Sequence, residues 1–350
     1  MNHSNPFIAS VYEIWFDRLQ GINLSEKIKL IIKYQDCASI YACADIIGLN
    51  KNLDEAEKQI IYMKKHKIGS VSYLNDNYPL FLREMNNPPL MLYYKGKANL
   101  WNTPCVAIVG TRKVSNYGKI ISLQLAERMA KCNVTVVSGL AYGVDTFAHK
   151  GVLENGGSTI AVLGCGVDIC YPASNKALMQ EIERKGLIVS EFLPGTPPKP
   201  FRFPLRNRII SGLSQAVIVT EAGLSSGSLI TAELAAEQGR DIFSVPGNIT
   251  QRNSIGTNKL IQDGAIPVVT VLDVEKNLGF TAKKEDSKFE QSLGMEEKQL
   301  YDIILTEGET TVDFLCKTLE KTPSYINGLV TILEIKGVIQ TSFGKIFIAK

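Results

Sequence analysis

The sequence predicts an α/β protein: an extended Rossmann-like, doubly wound, mainly parallel sheet with a small helical N-terminal domain and a winged-helix-like C-terminal domain. Three observations carry this. From Leu90 onwards, short apolar runs ending in glycine or small residues alternate with helical stretches, which is the grammar of βαβ units. The runs are apolar almost throughout, as strands covered on both faces must be. The segments on either side show apolar residues at helical spacing instead.

Taken in order, Ala9-Ser10-Val11 through Arg18, Ser25 through Tyr34, Ile40 through Ile47 and Leu53 through Lys65 read as short helices of a domain over residues 1–85. A packing or dimer-supporting role suits it better than a DNA-binding helix-hairpin-helix. Of the Gly-rich hairpin such a motif needs, Leu19-Gln20-Gly21-Ile22-Asn23 keeps only a trace. Turn-rich segments around Asn75-Asp76-Asn77-Tyr78-Pro79 and Asn86-Asn87-Pro88-Pro89 lead into the Rossmann-like domain, residues 86–278. Its predicted strands are Met91–Tyr94, Cys105–Val109, Val134–Val137, Thr159–Leu163, Leu187–Val189, Ala216–Val219, Ile242–Val245 and Pro267–Thr270. Residues 279–292, with the charged stretch Thr281 to Lys288, read as a linker. In the last domain, 293–350, helical patterns at Met295–Thr306, Thr311–Leu319 and Thr322–Lys336 precede a hairpin from Val338 to Ile348, the pattern of a winged helix.

Composition narrows the chemistry. The chain has 350 residues, 45 % hydrophobic and 21 % charged, an ordinary globular balance long enough for two or three domains. Neither a secretory leader nor an apolar span is visible, so a cytoplasmic protein with no membrane association is expected. Seven cysteines without C-x-x-C spacing read as free thiols, and three scattered histidines give a metal site or a His-based triad little material. No G-x-G-x-x-G follows the first strand and no G-x-x-x-x-G-K-[ST] occurs, so neither nicotinamide nor ATP chemistry, and no cofactor, is expected. The net charge of +3 does not by itself argue for nucleic acid.

The loops after the strands are the unusual part: Val109-Gly110-Thr111-Arg112, Ser138 to Gly143, Leu163-Gly164-Cys165-Gly166-Val167-Asp168, Val189-Ser190-Glu191, Val219 to Gly223 and Val245-Pro246-Gly247. Glycine lets backbone amides approach a phosphate, and the following helix dipole favours its charge; glycine equally serves a tight turn alone. Ser225-Ser226-Gly227-Ser228 opens a helix with hydroxyls at its N-cap, suited to a phosphate or to a buried turn. The segment Lys199-Pro200-Phe201-Arg202-Phe203-Pro204-Leu205-Arg206-Asn207-Arg208 has four cations, no acid and two aromatic rings. Cations neutralise phosphates while rings stack on unpaired bases, so single-stranded nucleic acid of any sequence is the ligand this combination suits. Its bland counterpart is a basic loop with anchored phenylalanines, whose Arg206 and Arg208 only pair with acids. Catalysis would call on Asp145, Asp168, Glu191, Glu221 or Glu233, for which ion pairing is the competing role.

At these loops the chain resembles the DNA-processing protein A (DprA/Smf) family. The shared motifs are Val109 to Arg112, Ser138 to Asp145 with Ala148-His149, Tyr171-Pro172-Ala173-Ser174-Asn175, Phe203 to Ser214, Ser226 to Ala232 and Ser254-Ile255-Gly256-Thr257-Asn258, which together cover about Leu90 to Leu272. The resemblance implies a homodimeric, single-stranded DNA-binding mediator without catalytic turnover, which shields incoming DNA and loads the RecA recombinase onto it during natural transformation. It implies that Arg112 and Lys199 grip the backbone and that Gly139, Gly166, Asn175, Asn207 and Arg208 lie about the same pocket. Phe201 falls in the region of the family's stacking aromatic. The alternative is a nucleotide hydrolase of the phosphoribohydrolase type, whose Pro-Gly-Gly-x-Gly-Thr loop and following Glu align with Glu221 to Ser228 and Glu233. The first glycine pair of that loop is absent here.

Overall fold

The computed structural model describes residues 6–282, 293–342 and 344–348, which form two compact units, Met1–Ala282 and Lys283–Lys350. The opening Met1 to Asn5 and most of the expected linker, 283–292, lie outside the described residues.

The first unit opens with α1 (Val11–Arg18), α2 (Leu24–Tyr34), α3 (Cys37–Ala42) and α4 (Asp54–Lys65). Capping boxes start α1 and α2: Ser10 with Glu13, and Asn23 with Glu26, satisfy each other's backbone amides. Asp36 caps α3 by accepting from Ser39 N at 2.8 Å, so this helix begins three residues before the expected Ile40. These helices do not close a core of their own. Ile14, Trp15, Phe16 and Ile40 belong to one buried cluster with Met91, Tyr93, Val106 and Ile108 of the sheet.

Alternation then follows: β1 (Gly69–Ser72), α5 (Leu80–Arg83), β2 (Met91–Gly96), β3 (Cys105–Val109), α6 (Asn116–Lys131), β4 (Thr135–Ser138), α7 (Val144–Glu154), β5 (Thr159–Val162), α8 (Lys176–Lys185) and β6 (Leu187–Ser190). It continues with α9 (Arg202–Gly212), β7 (Ala216–Val219), α10 (Gly227–Glu237), β8 (Asp241–Ser244), α11 (Ile255–Gln262), β9 (Ile266–Pro267) and α12 (Leu272–Leu278). The strands make a nine-stranded sheet in the order β1-β2-β6-β5-β4-β3-β7-β8-β9. From β6 to β9 every pair is parallel, and β1 and β2 add an antiparallel edge. This is the Rossmann-like, doubly wound sheet the apolar runs predicted. Every residue of β3, β4, β5, β6 and β7 is buried.

Several elements depart from the expectation. β1 was not foreseen, and it lies within residues 1–85, read as a helical domain; Gly69 sits opposite Tyr94, whose ring occupies the space a Cβ would need. β9 stops at Pro267 because the Asp273 carboxylate takes the amides of Val269 and Thr270 at 2.8 and 2.7 Å, turning the chain into α12. The basic segment enters a helix, α9, at Arg202, with Pro204 in its first turn, where a missing N–H costs nothing.

The second unit contains α13 (Met295–Glu307), β10 (Glu309–Thr310), α14 (Val312–Leu319), α15 (Pro323–Ile335), β11 (Ile339–Ser342) and β12 (Lys345–Ile348), with strand order β10-β12-β11. Leu300, Ile304, Leu315, Ile326, Leu333 and Ile346 make its own core.

Candidate nucleic-acid interface

Chain order reverses at β3: the chain winds outward from β3 to β6 on one side, then returns to lay β7 to β9 on the other. An open α/β sheet leaves a crevice beyond the carboxyl ends of its strands at such a switch point. A cleft of about 1010 Å³ lies there, lined by the loops after β3, β4 and β7, by the start of α9 and by the residues leading into α11. Of the glycine stretches singled out above, those at residues 163–168, 189–191 and 245–247 contribute no lining residue, although the loop after β5 reaches the cleft further on, with Tyr171.

The loop after β4 is shaped from beneath. Leu140 holds φ +57, and its amide donates to His149 Nε2 at 3.3 Å. Thr159 Oγ1 gives its own proton to the Val136 carbonyl at 2.7 Å, so the 2.7 Å contact between Thr159 Oγ1 and His149 Nδ1 is donated by the imidazole. His149 is thereby fixed as the neutral Nδ1–H tautomer, and burial drives its pKa down from 6.5 to about 3. Asn175 Nδ2 donates to the Leu140 carbonyl and Thr146 Oγ1 at 3.0 and 2.9 Å, so Asn175 holds this loop rather than facing the cleft. Asp145 accepts from Gly139 N and Ala141 N at 3.1 and 3.3 Å.

Arg206 is the floor. Only 4 % exposed, it donates to the carbonyls of Gly139, at 2.8 Å, and Val162. A Cβ on Gly139 would lie 2.6 Å from this guanidinium, so the glycine makes room for the arginine. Burial lowers the Arg206 pKa to about 10, against which the nearby Asp145 charge works; burial in turn raises Asp145 above the ordinary carboxylate value.

The remaining cations of the basic run are used differently. Arg208 forms a two-pronged pair with Glu191, at 2.9 and 2.6 Å, and does not line the cleft. Arg202 lies over the rings of Phe192 and Phe201 and donates to the Pro197 carbonyl. Lys199 and Phe201, the latter 60 % exposed, stand on the surface outside the cleft lining. Gly166 is a packing glycine: its amide donates to the Thr196 carbonyl at 2.9 Å, and a Cβ there would lie 2.5 Å from Asp168 Oδ1. Asn207 does line the cleft and reaches the Gly227 carbonyl at 3.3 Å, with Ser226 capping α10 beside it.

The exposed chemistry of the cleft gathers at Phe203. The Arg112 guanidinium lies over this ring at 5.5 Å from its centroid, and Tyr171 stacks on it at 5.3 Å and 26°. Gly110 and Thr111 seat Arg112: a Cβ on Gly110 would press on Val144, and Thr111 N donates to the Glu221 carbonyl at 2.7 Å. Sequence reading named Arg112 and the two phenylalanines but missed Tyr171 as a ring, Lys113 and Arg252. Tyr171 was visible in Tyr-Pro-x-x-Asn; nothing in the spacing marked the other two.

The candidate catalytic acids are occupied or remote. Glu221 is 1 % exposed and accepts from the amide and hydroxyl of Ser115 at 2.9 and 2.5 Å, holding the N-cap residue of α6. Asp168 binds the Tyr62 hydroxyl and the Gly195 amide at 2.8 and 2.9 Å. Glu233 is exposed on α10, away from the cleft lining, where Asp145 is the only acid. Among the described residues no three His, Cys, Asp or Glu are grouped to hold a metal, and no helix is long and apolar enough to cross a membrane.

Residues 70–279 match the family model of DNA recombination-mediator protein A. The DNA processing protein DprA of Streptococcus pneumoniae is 39 % identical over 272 residues, 75 % of this chain and 96 % of that protein. Its solved structure superposes with a TM-score of 0.67 over 79 % of this chain and all of that one. The putative DNA processing protein DprA of Mycobacterium tuberculosis is 34 % identical over 316 residues, 85 % of this chain and 81 % of that protein. The solved structure of DNA processing protein A from Helicobacter pylori, reported for its single-stranded DNA binding mode, is 33 % identical with a TM-score of 0.56, covering 61 % of this chain and 97 % of that one. A Rossmann-like sheet with a cleft at its switch point, matched over most of its length, places this chain in the DprA/Smf family of DNA-processing recombination mediators.

Proposed function

We propose that this chain binds single-stranded DNA in the switch-point cleft, shields it, and loads the RecA recombinase onto it during natural transformation, acting as a cytoplasmic homodimer without catalytic turnover. The observation that carries the reading is the Arg112–Phe203–Tyr171 stack, set at a cleft whose lining has four cations, Arg112, Lys113, Arg206 and Arg252, against the single acid Asp145. Aromatic rings stacked beside a guanidinium suit an unpaired base next to its phosphate, and a duplex hides its bases from such a stack. Lys199 and Phe201, exposed near the entry to α9, extend the same charge and aromatic character along the surface. The three helices and three-stranded sheet of the second unit suit a winged helix.

The test is fluorescence anisotropy with single-stranded and duplex oligonucleotides over a salt series, with nucleoside monophosphate turnover assayed in parallel. Salt-sensitive preference for the single strand is expected, and Arg112→Ala lowers the slope of log affinity against log salt by about 0.7, the share of one phosphate on a single strand. Equal affinity for both forms, or release of free base, would overturn the reading. Delivery to RecA is then read as faster filament formation on covered single strands, and the dimer by light scattering.

A further inference from the structure

Beside the Phe203 stack, the loop that carries Arg112 continues into Lys113, whose carbonyl accepts from Asn253 Nδ2 at 2.8 Å, and the Asn253 carbonyl accepts from Ala222 N at 2.7 Å. These two bonds fasten the loops after β3 and β7 and the approach to α11 into one piece. Lys113 and Arg252 both line the cleft from this piece, and both are exposed. Neither side chain enters an ion pair or a hydrogen bond among the described residues, unlike Arg206 and Arg208. The lining contributed by residues 223–231 and 252–255 contains no acid. Two helices start there as well, α10 with Ser226 at its N-cap and α11 with no side-chain cap. Two uncompensated cations on one hydrogen-bonded group of loops, beside two helix N-termini, make a place for an anion.

We propose that Lys113 and Arg252 form a second phosphate subsite, so that a strand crosses the ends of β3 and β7 with a base at Phe203 and Tyr171 and an internucleotide phosphate at Lys113 and Arg252. This rests on the DNA-binding reading above. It adds that the cleft holds consecutive nucleotides, in keeping with a volume of about 1010 Å³, at the top of the roughly 300–1,000 Å³ typical of single-ligand pockets.

The experiment uses the full chain and labelled oligothymidylates over a salt series, comparing the unaltered protein with Lys113→Gln, Arg252→Gln, the double variant and Arg112→Ala. Each lost phosphate contact lowers the salt slope by about 0.7, so the double variant, which loses one subsite, is expected to lose about 0.7, with an unchanged thermal transition because both side chains are exposed. Oligonucleotides carrying one uncharged methylphosphonate linkage supply the second readout. The linkage that weakens binding to the unaltered protein should cost the double variant little more. A double variant with unaltered slope and unaltered methylphosphonate response, while Arg112→Ala still weakens binding, would overturn the subsite and leave the DNA-binding reading standing. If the unaltered protein shows no preference for single strands, both fall.

Discussion

Replacing Phe203 separates stacking from charge. The ring is half-buried, lies flat enough on Gly164 that a Cβ there would sit 2.8 Å from Cδ1, and carries Arg112 and Tyr171 on its surface. Base–aromatic stacking is worth roughly 1–3 kcal/mol per base, so Phe203→Ala should weaken single-strand binding about 5- to 150-fold. The ring bears no charge, so the slope of log affinity against log salt should stay within error of the parent, whereas Arg112→Ala should lower it. Phe203→Trp keeps a stacking face and should restore most of the affinity. Anisotropy at several salt concentrations reads all three variants, and circular dichroism checks that each remains folded. Phe203→Ala binding within twofold of the parent would refute the stacking role. A reduced slope in Phe203→Ala would mean that the ring acts by holding Arg112 rather than by touching a base.

Two further expectations concern stability. His149 is neutral in the fold, with a pKa of about 3 against an ordinary 6.5, so its contribution is complete above pH 6.5 and is lost as pH falls toward 3. That amounts to about 2 kcal/mol by pH 5. Asp145, raised by burial above the ordinary carboxylate value, acts in the opposite sense, gaining stability as pH falls. Urea midpoints of the parent should therefore fall between about pH 6.5 and 5 while those of His149→Gln stay flatter; parallel profiles would refute the neutral-tautomer assignment. Arg208→Ala removes one partner of the Glu191 pair, whose side chains are 12 % and 17 % exposed. Partial exposure discounts the penalty of a stranded buried charge to roughly 1–3 kcal/mol of unfolding free energy. The salt slope of DNA binding should not change, and a slope lowered without loss of stability would make Arg208 a phosphate contact after all.

The sheet was legible because burial on both faces leaves its mark on every residue of a strand: Cys105–Val109 contains no polar side chain and all five residues are buried. β1 left no such mark. Gly69-Ser70-Val71-Ser72 is a strand because β2 offers it a partner and the Tyr94 ring fills the space over Gly69, facts of tertiary structure that four small residues do not announce. The site was legible to the level of loops and no further. Lys199, Arg202, Arg206 and Arg208 look equivalent when charge is counted along the chain, yet one faces solvent, one lies over two rings, one is the buried floor and one is paired with Glu191. Part of that division was written in the helix period. Arg206, Ile209, Ile210 and Leu213 follow i, i+3, i+4, i+7, and all are buried, so extending the apolar stripe back one turn puts Arg206 inside. The rest depends on which acids the fold brings near. Glu191 arrives from β6 to neutralise Arg208, while no carboxylate reaches Lys113 or Arg252 from any described element. A cation is available to a phosphate only if the fold has not already spent it on a carboxylate or a carbonyl, and for that reason the basic run drew attention to the right helix while the uncompensated charge sits mainly on the loops facing it.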